Sequence, residues 1–303
     1  MPGGDWLTIN EVIARIPGWA NIPDILVKPI GGLTNSNYLI EVNQEKFVLR
    51  ISGKNTALLG IDRKGEIEVM KVAAAQDLCP EIIHFLLPEG HLVTRYIDGR
   101  HWTYEEYCQP ENLNRMVDAV KTVHNLPAIK TEVSPFRRIE HYMRQIQVLG
   151  VPYPNGFDAA IDRMETIEKH LKTDNFPARG LCHNDLFSLN FIDDGRLRFL
   201  DWEFAGMGDI FYDLATLAYT FDSVGEIPSD LQGFILECYF GKTDEYLWTR
   251  MAEMKFMILL YSVMWGLLQS GLEQAGIIPS VDGFNYLDYA VYMFATIRES
   301  NIL

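Results

Sequence analysis

The sequence predicts an α+β fold of two lobes: a strand-rich N-terminal part over residues 1–97 and a mostly helical C-terminal part over 98–303. Three observations point there. In the first hundred residues, short β-branched and aromatic runs alternate with turn residues, interrupted by one helical stretch. Beyond Asp98-Gly99 the apolar spacing takes the helical period. Within that helical part lies a short hairpin, Phe191-Ile192 and Leu197 to Leu200, closed at Asp193-Asp194-Gly195-Arg196 with Asp-Gly as the tight turn.

Leu26 to Ile30 reads as the first strand, and Gly31 to Asn37 as a glycine-containing loop. Tyr38 to Val42 and Lys46 to Ile51 form the next two strands around a turn at Asn43-Gln44. A helix begins near Asp62, a good N-cap, and runs to Cys79-Pro80, where proline stops it. Ile82 to Leu86 and Leu92 to Ile97 are strands joined by Pro88-Glu89-Gly90. Helices follow at 110–124, 157–171, 213–219, 231–240, 248–270 and 284–298.

Composition narrows the class of partner. A length of 303 residues allows two lobes, and 48% hydrophobic with 22% charged residues is ordinary for a soluble globular protein. A net charge of −15 speaks against nucleic acid, which demands basic patches, and suits a cationic substrate. The four cysteines (Cys79, Cys108, Cys182 and Cys238) form no C-x-x-C pair and read as reduced thiols in a cytoplasmic protein. Asp5 and Glu11 near the start, without an apolar run, give no expectation of a signal peptide. The apolar run Phe256 to Leu268 is too short to span a bilayer, so a buried helix and no membrane insertion are expected.

The stretch His183-Asn184-Asp185-Leu186-Phe187-Ser188-Leu189-Asn190 has the spacing H-x-D-L-x-x-x-N, and Leu200-Asp201-Trp202-Glu203 follows across the hairpin. Phosphoryl transfer asks for an attacking hydroxyl held in line and for divalent cations on the β- and γ-phosphates. In this pattern Asp185 orients the hydroxyl, while Asn190 and Asp201 ligate Mg²⁺; the hairpin returns Asp201 to the side of Asn190. The layout is that of a kinase-type bilobal fold using ATP.

The nucleotide half has matching parts. Gly31, Gly32, Thr34, Asn35 and Asn37 lie between two strands, where small residues let backbone amides approach phosphates. Arg50, alternating with Phe47, Leu49 and Ile51, stands where a kinase places its phosphate-pairing cation. Its helix partner is expected to be Glu66, which shares a face with Val69, Met70 and Ala73; Glu68 is the alternative. Arg95, Tyr96 and Ile97 occupy the hinge position, where backbone groups would meet adenine.

In place of D-F-G the chain has Asp201-Trp202-Glu203, no A-P-E follows, and a helix resumes by Asp213, which leaves no room for a peptide platform. The acceptor is therefore expected to be a small-molecule alcohol. On Gly32 to Tyr38, Val48-Leu49-Arg50-Ile51, the two motifs above, Asp209 to Ala215 and Trp265-Gly266-Leu267-Leu268-Gln269, the chain resembles the choline/ethanolamine kinase branch of the aminoglycoside-phosphotransferase-like superfamily. The resemblance runs from about residue 25 to the C-terminus.

The resemblance implies Asp185 as catalytic base, Asn190 and Asp201 as Mg²⁺ ligands and Glu203 as support of the metal site. It implies Arg50 and Glu66 as the phosphate-positioning pair, Asp213 as the buried brace of the Asp185 loop, and His183 as a loop-ordering residue. A quaternary ammonium cannot donate hydrogen bonds, so aromatic faces and a carboxylate must hold it. The C-terminal helices supply Trp248, Tyr261, Trp265, Tyr286, Tyr289 and Phe294; Trp265 and Tyr289 are the expected walls. Two positions depart from the family: Leu268 replaces a second tryptophan, and the acid expected after D-W-E falls near Thr220 and Asp222. The expected acceptor is choline or a related cationic amino alcohol. The alternatives are an aminoglycoside, thiamine or other small-alcohol kinase, and a non-catalytic pseudokinase; a homodimer is left open.

Overall fold

The computed structural model describes residues 8–32, 34–53, 56–219 and 226–300. Leu33 of the glycine loop, and Thr220 and Asp222, lie outside the described residues.

A short helix α1 (Ile9–Arg15) precedes a five-stranded antiparallel sheet of β1 (Leu26–Gly31), β2 (Ser36–Val42), β3 (Glu45–Ile51), β4 (Ile82–Leu86) and β5 (His91–Arg95). Their spatial order is β1-β2-β3-β5-β4, with helix α2 (Arg63–Ala74) inserted between β3 and β4. One face of the sheet buries Ile40, Val42, Phe47, Leu49 and Val93 under Val12, Ile13, Ile16 and Trp19 of the N-terminal segment. Helix α1 was not expected from the sequence. Its capping box, Thr8 with Glu11, is in the sequence, although the helix is only seven residues long.

Helix α2 stops at Ala74 and not at Cys79. Leu78 N returns to Ala73 O at 3.0 Å, with Asp77 left-handed at φ 58°. The second part contains α3 (Tyr104–Tyr107), α4 (Pro110–His124), α5 (Pro135–Leu149), α6 (Phe157–Thr173), α7 (Ile210–Tyr219), α8 (Ser229–Phe240), α9 (Glu245–Gln274) and α10 (Tyr286–Glu299). Between α6 and α7 sit two ribbons: β6 (Arg179–Cys182) with β9 (Gly206–Asp209), and the hairpin of β7 (Phe191–Asp193) with β8 (Leu197–Phe199).

Helix α9 runs through the core and packs against α5, α7 and α10. It is long and apolar enough to cross a bilayer, but 89% of its apolar window is buried inside the protein. Helix α5 was not expected. Ser134 caps the helix and Pro135 occupies its first turn.

Candidate active site

The two parts face each other across a cleft of about 930 Å³. Its floor is the loop between β6 and β7. The fully buried Asp213 of α7 holds that loop. Its carboxylate accepts the His183 amide at 2.8 Å and the Asn184 amide at 2.7 Å, with His124 Nε2 at 3.1 Å. A carboxylate sealed from water is tolerable only with such partners. Asn184 adopts φ 63°, which asparagine accepts more readily than most residues, and its side chain donates to Cys182 O and Phe204 O. His183 Nε2 lies 2.9 Å from Leu200 O, and burial brings its pKa down to about 4, so the ring is neutral.

Asp185 emerges from this step into the cleft. Asn190 closes a single 3₁₀ turn and donates Nδ2 to Asp185 Oδ2 at 2.7 Å and to Asp185 O at 2.8 Å. The pairing of Phe191 with Phe199, and the bond from Leu200 N to Asn190 O at 2.8 Å, return the chain so that Asp201 lines the same cleft. Asp201 is itself left-handed, at φ 56°.

Carboxylates crowd here. Burial, then Asp201 and Glu203, push the Asp185 carboxyl well above its usual range, against Arg138 and Asn190. Burial, with Glu203 next, pushes Asp201 up to about 7.

Arg50 on β3 answers part of this charge. Its Nη1 lies 2.6 Å from Glu66 and 3.2 Å from Asp201, while Nη2 donates to Gly90 O at 3.2 Å. Glu66 faces inward and Glu68 is exposed, so of the two expected candidates the ion pair goes to Glu66. Arg63, which the sequence reading passed over, bridges Glu66 at 2.7 Å and Glu203 at 2.9 Å. Its place three residues before Glu66 was the available signal.

The glycine loop closes the top. Gly31, Gly32, Thr34, Asn35 and Asn37 all line the cleft. Gly32 has φ 128°, and a Cβ there would come within 2.0 Å of Asn35 O, so this turn requires glycine. The Asn35 carboxamide turns back into the protein, donating to Glu203 at 3.0 Å and accepting from Gly53 N at 3.3 Å. At the hinge, Arg95 N bonds Glu81 O and Tyr96 N bonds Lys46 O, leaving Ile97 as the amide of the three not committed to the sheet. The Arg95 guanidinium turns outward to Glu45 and Glu81. Val48, Met70 and Leu92 supply an apolar slot beside it.

At the opposite end stand Tyr261, Ser262, Trp265, Phe284 and Tyr289. Trp265 meets Tyr289 edge-on at 5.7 Å (87°) and Phe284 at 6.4 Å. Gly266 makes this corner. A Cβ on it would come within 2.9 Å of Tyr286 O and 3.1 Å of Tyr289 Cδ1, so α9 and α10 touch there. Of the other aromatic candidates, Tyr286 and Phe294 are buried in the core, and Trp248 packs on Gly233. Leu268 is also core. Phe284, the expected first residue of the last helix, lies instead in the loop before α10, and it was not among the expected walls. Arg138 of α5 lies behind the wall, 4.6 Å from the Phe204 ring and 5.2 Å from the Tyr261 ring.

This cleft suits a nucleoside triphosphate with Mg²⁺. Its donor set, the Asn190 carboxamide with the Asp201 and Glu203 carboxylates, is of the hard oxygen kind that Mg²⁺ prefers.

Such an arrangement defines a small-molecule kinase: an ATP-dependent phosphotransferase with an alcohol acceptor. The chain belongs to the phosphotransferase enzyme family, whose model matches residues 26–252. It is 25% identical over 271 residues to the protein LicA of Haemophilus influenzae, covering 86% of this chain and 76% of LicA. A choline/ethanolamine kinase family protein from Mesorhizobium loti superposes with a TM-score of 0.75 at 27% identity, covering 96% of this chain and 92% of that one. The choline kinase LicA from Streptococcus pneumoniae gives 0.73 at 26% identity, covering 95% and 98%.

Proposed function

We propose that this protein transfers the γ-phosphate of Mg·ATP to the hydroxyl of choline or a closely related methylated amino alcohol. The observation that carries this reading is the aromatic corner of Trp265, Phe284 and Tyr289 in the same cleft as Asp185. A primary ammonium would need several acceptors at its head. Among the described residues that line this end, Ser262 offers the one non-aromatic polar side chain. A quaternary ammonium has no N–H to satisfy, and each aromatic face contributes roughly 0.5–2 kcal/mol. The relatives named choline kinase and choline/ethanolamine kinase support the coarser class, a small amino alcohol.

In this reading residues 1–97 hold the nucleotide and 98–303 the acceptor. The Ile97 amide faces adenine, the Gly31–Asn37 loop covers the phosphates, and Arg50, steadied by Glu66, pairs with their oxygens. Asn190 and Asp201 hold Mg²⁺, with Glu203 supporting the site; the ion, when bound, neutralises the β- and γ-phosphate oxygens. Asp185 Oδ2 is pinned by Asn190, so its other oxygen is the one turned to the acceptor hydroxyl. The raised pKa of Asp185 suits a group that takes up a proton as the phosphate moves. The acidic chain and its four free cysteines suit a cytoplasmic enzyme.

The test is ADP release with Mg·ATP against choline, ethanolamine, thiamine, an aminoglycoside and a sugar alcohol. Choline should turn over, and Trp265→Ala should raise its KM roughly 2- to 30-fold, the equivalent of one cation–π contact, at little change in kcat. Turnover confined to a non-amine acceptor sinks the amino-alcohol reading.

A further inference from the structure

The charged groups of the cleft form an alternating ladder: Asp201, Arg50, Glu66, Arg63, Glu203. Its three inner members are each 93–99% buried. Arg63 is its least expected member. It sits in the first turn of α2, where the positive end of the helix dipole disfavours a cation, and its side chain is almost wholly out of water. Two unfavourable terms at one residue require specific compensation, and the two carboxylates on Nη1 supply it.

One of those carboxylates is in its own helix; the other belongs to the turn after Asp201, in the second lobe. The surroundings hold the guanidinium in place. Gly90 has no Cβ, and one added there would lie 2.3 Å from Arg63 Cδ. The Gly90 carbonyl meanwhile receives Arg50 Nη2 and Ser52 Oγ. Asn35 of the glycine loop donates to the same Glu203 oxygen that Arg63 holds.

We propose that Arg63 is a positioning residue for phosphoryl transfer: it clamps α2 to the Asp201–Glu203 turn, so that Arg50 and Asp201 keep their places relative to each other. Glu66 is shared by two arginines, so loss of Arg63 leaves both of its oxygens to Arg50. Glu203, unneutralised, then repels Asp201. Both changes act on the nucleotide end and neither touches the aromatic corner. The proposal rests on the nucleotide half of the reading above and not on the identity of the acceptor.

The test compares the full-length protein with Arg63→Met, Arg63→Lys, Glu203→Gln and the Arg63→Met/Glu203→Gln pair. Calorimetry measures binding of Mg²⁺ with a non-hydrolysable ATP analogue without acceptor, and steady-state kinetics give both KM values. Arg63→Met should weaken analogue binding and lower kcat/KM for ATP on the order of 10- to 100-fold, as loss of a supporting group does, with the acceptor KM unchanged. Arg63→Lys should recover most of this, since a single ammonium can also lie between two carboxylates. The double variant should lose less than the two single effects combined. If Arg63→Met does not fold, Arg63→Gln, a neutral donor, must show the same split. Wild-type analogue binding in these variants, failure of lysine to rescue, a shifted acceptor KM, or full additivity with Glu203→Gln each overturns the proposal. If no amino alcohol is turned over, the analogue binding still decides this question separately.

Discussion

The Asp213 carboxylate accepts the Asn184 amide at 2.7 Å, and it is this bond, with the one from His183, that aims Asp185 into the cleft. Replacing Asp213 by Asn turns one accepting oxygen into a donor facing an N–H. We expect a loss of about 1–3 kcal/mol in stability from the unsatisfied amide. Thermal melts and kcat should fall together, while nucleotide-analogue affinity changes little. Unchanged kcat would show that the brace is not what positions the loop.

Asp185→Asn keeps the shape of the side chain and its partner Asn190 but removes the proton acceptor. The expected drop in kcat is on the order of 10²–10⁴, with the KM for ATP close to that of the parent. Full activity in this variant would move the acceptor-orienting role to another residue.

His183 sets an acid limit on stability. Its folded pKa, about 4, lies below the ordinary value of 6.5, so the native state favours the neutral ring. As pH falls below about 6.5 the unfolded chain takes up a proton that the native chain refuses. The contribution is present in full above 6.5 and is lost toward pH 4 at up to about 1.4 kcal/mol per pH unit. Melts of the parent and of His183→Gln between pH 7.5 and 4.5 check this: the variant should lose less stability on acidification. Parallel curves would rule out His183 as the source.

Gly266→Ala forces a methyl against Tyr286 O and Tyr289 Cδ1. Overpacking of this kind costs roughly 1–3 kcal/mol and here displaces α10, which carries Tyr289. The KM for the amino alcohol should rise while that for ATP stays constant. A rise in both, or in ATP alone, would detach Tyr289 from acceptor binding.

Gly90→Ala combines a left-handed φ of 82°, which alanine rarely adopts, with a methyl 2.3 Å from Arg63 Cδ. Because the same glycine carbonyl receives Arg50, the expected effect falls on ATP binding, seen as a higher KM for ATP at constant acceptor KM. An effect on the acceptor alone would contradict the placement of this turn at the nucleotide end.

Local chemistry made much of this fold readable. Helix α4 was delimited by Pro110 and His124 as observed, strand β4 by Ile82 and Leu86, and the hairpin by its Asp-Gly turn. What escaped were elements whose signals conflict or are short. Helix α5 was hidden by Ser134-Pro135, a pair that starts a helix as readily as a turn; α1 is only two turns long.

The candidate site divides in the same way. Asp185, Asn190 and Asp201 stand at spacings that a loop and hairpin convert directly into proximity, so sequence alone brought them together. Arg50 and Glu66 are 16 positions apart, yet each lies on the inward face of a regular element; periodicity favoured Glu66 and left Glu68 open, and the ion pair goes to Glu66. Arg63, Phe284 and Arg138 needed the tertiary structure. Their roles depend on which carboxylate, ring or carbonyl from a distant segment comes to meet them: Glu203 for Arg63, Trp265 for Phe284, and Phe204 with Tyr261 for Arg138. Sequence thus determined much of the order of elements, the loop chemistry and the spacing of the cleft carboxylates, because those are set within a few residues by backbone geometry. Only the packing of α2, α5 and α10 against the rest decided how charge is balanced in the cleft and where its aromatic end lies. Burial and ion pairing depend on neighbours that chain order does not reveal.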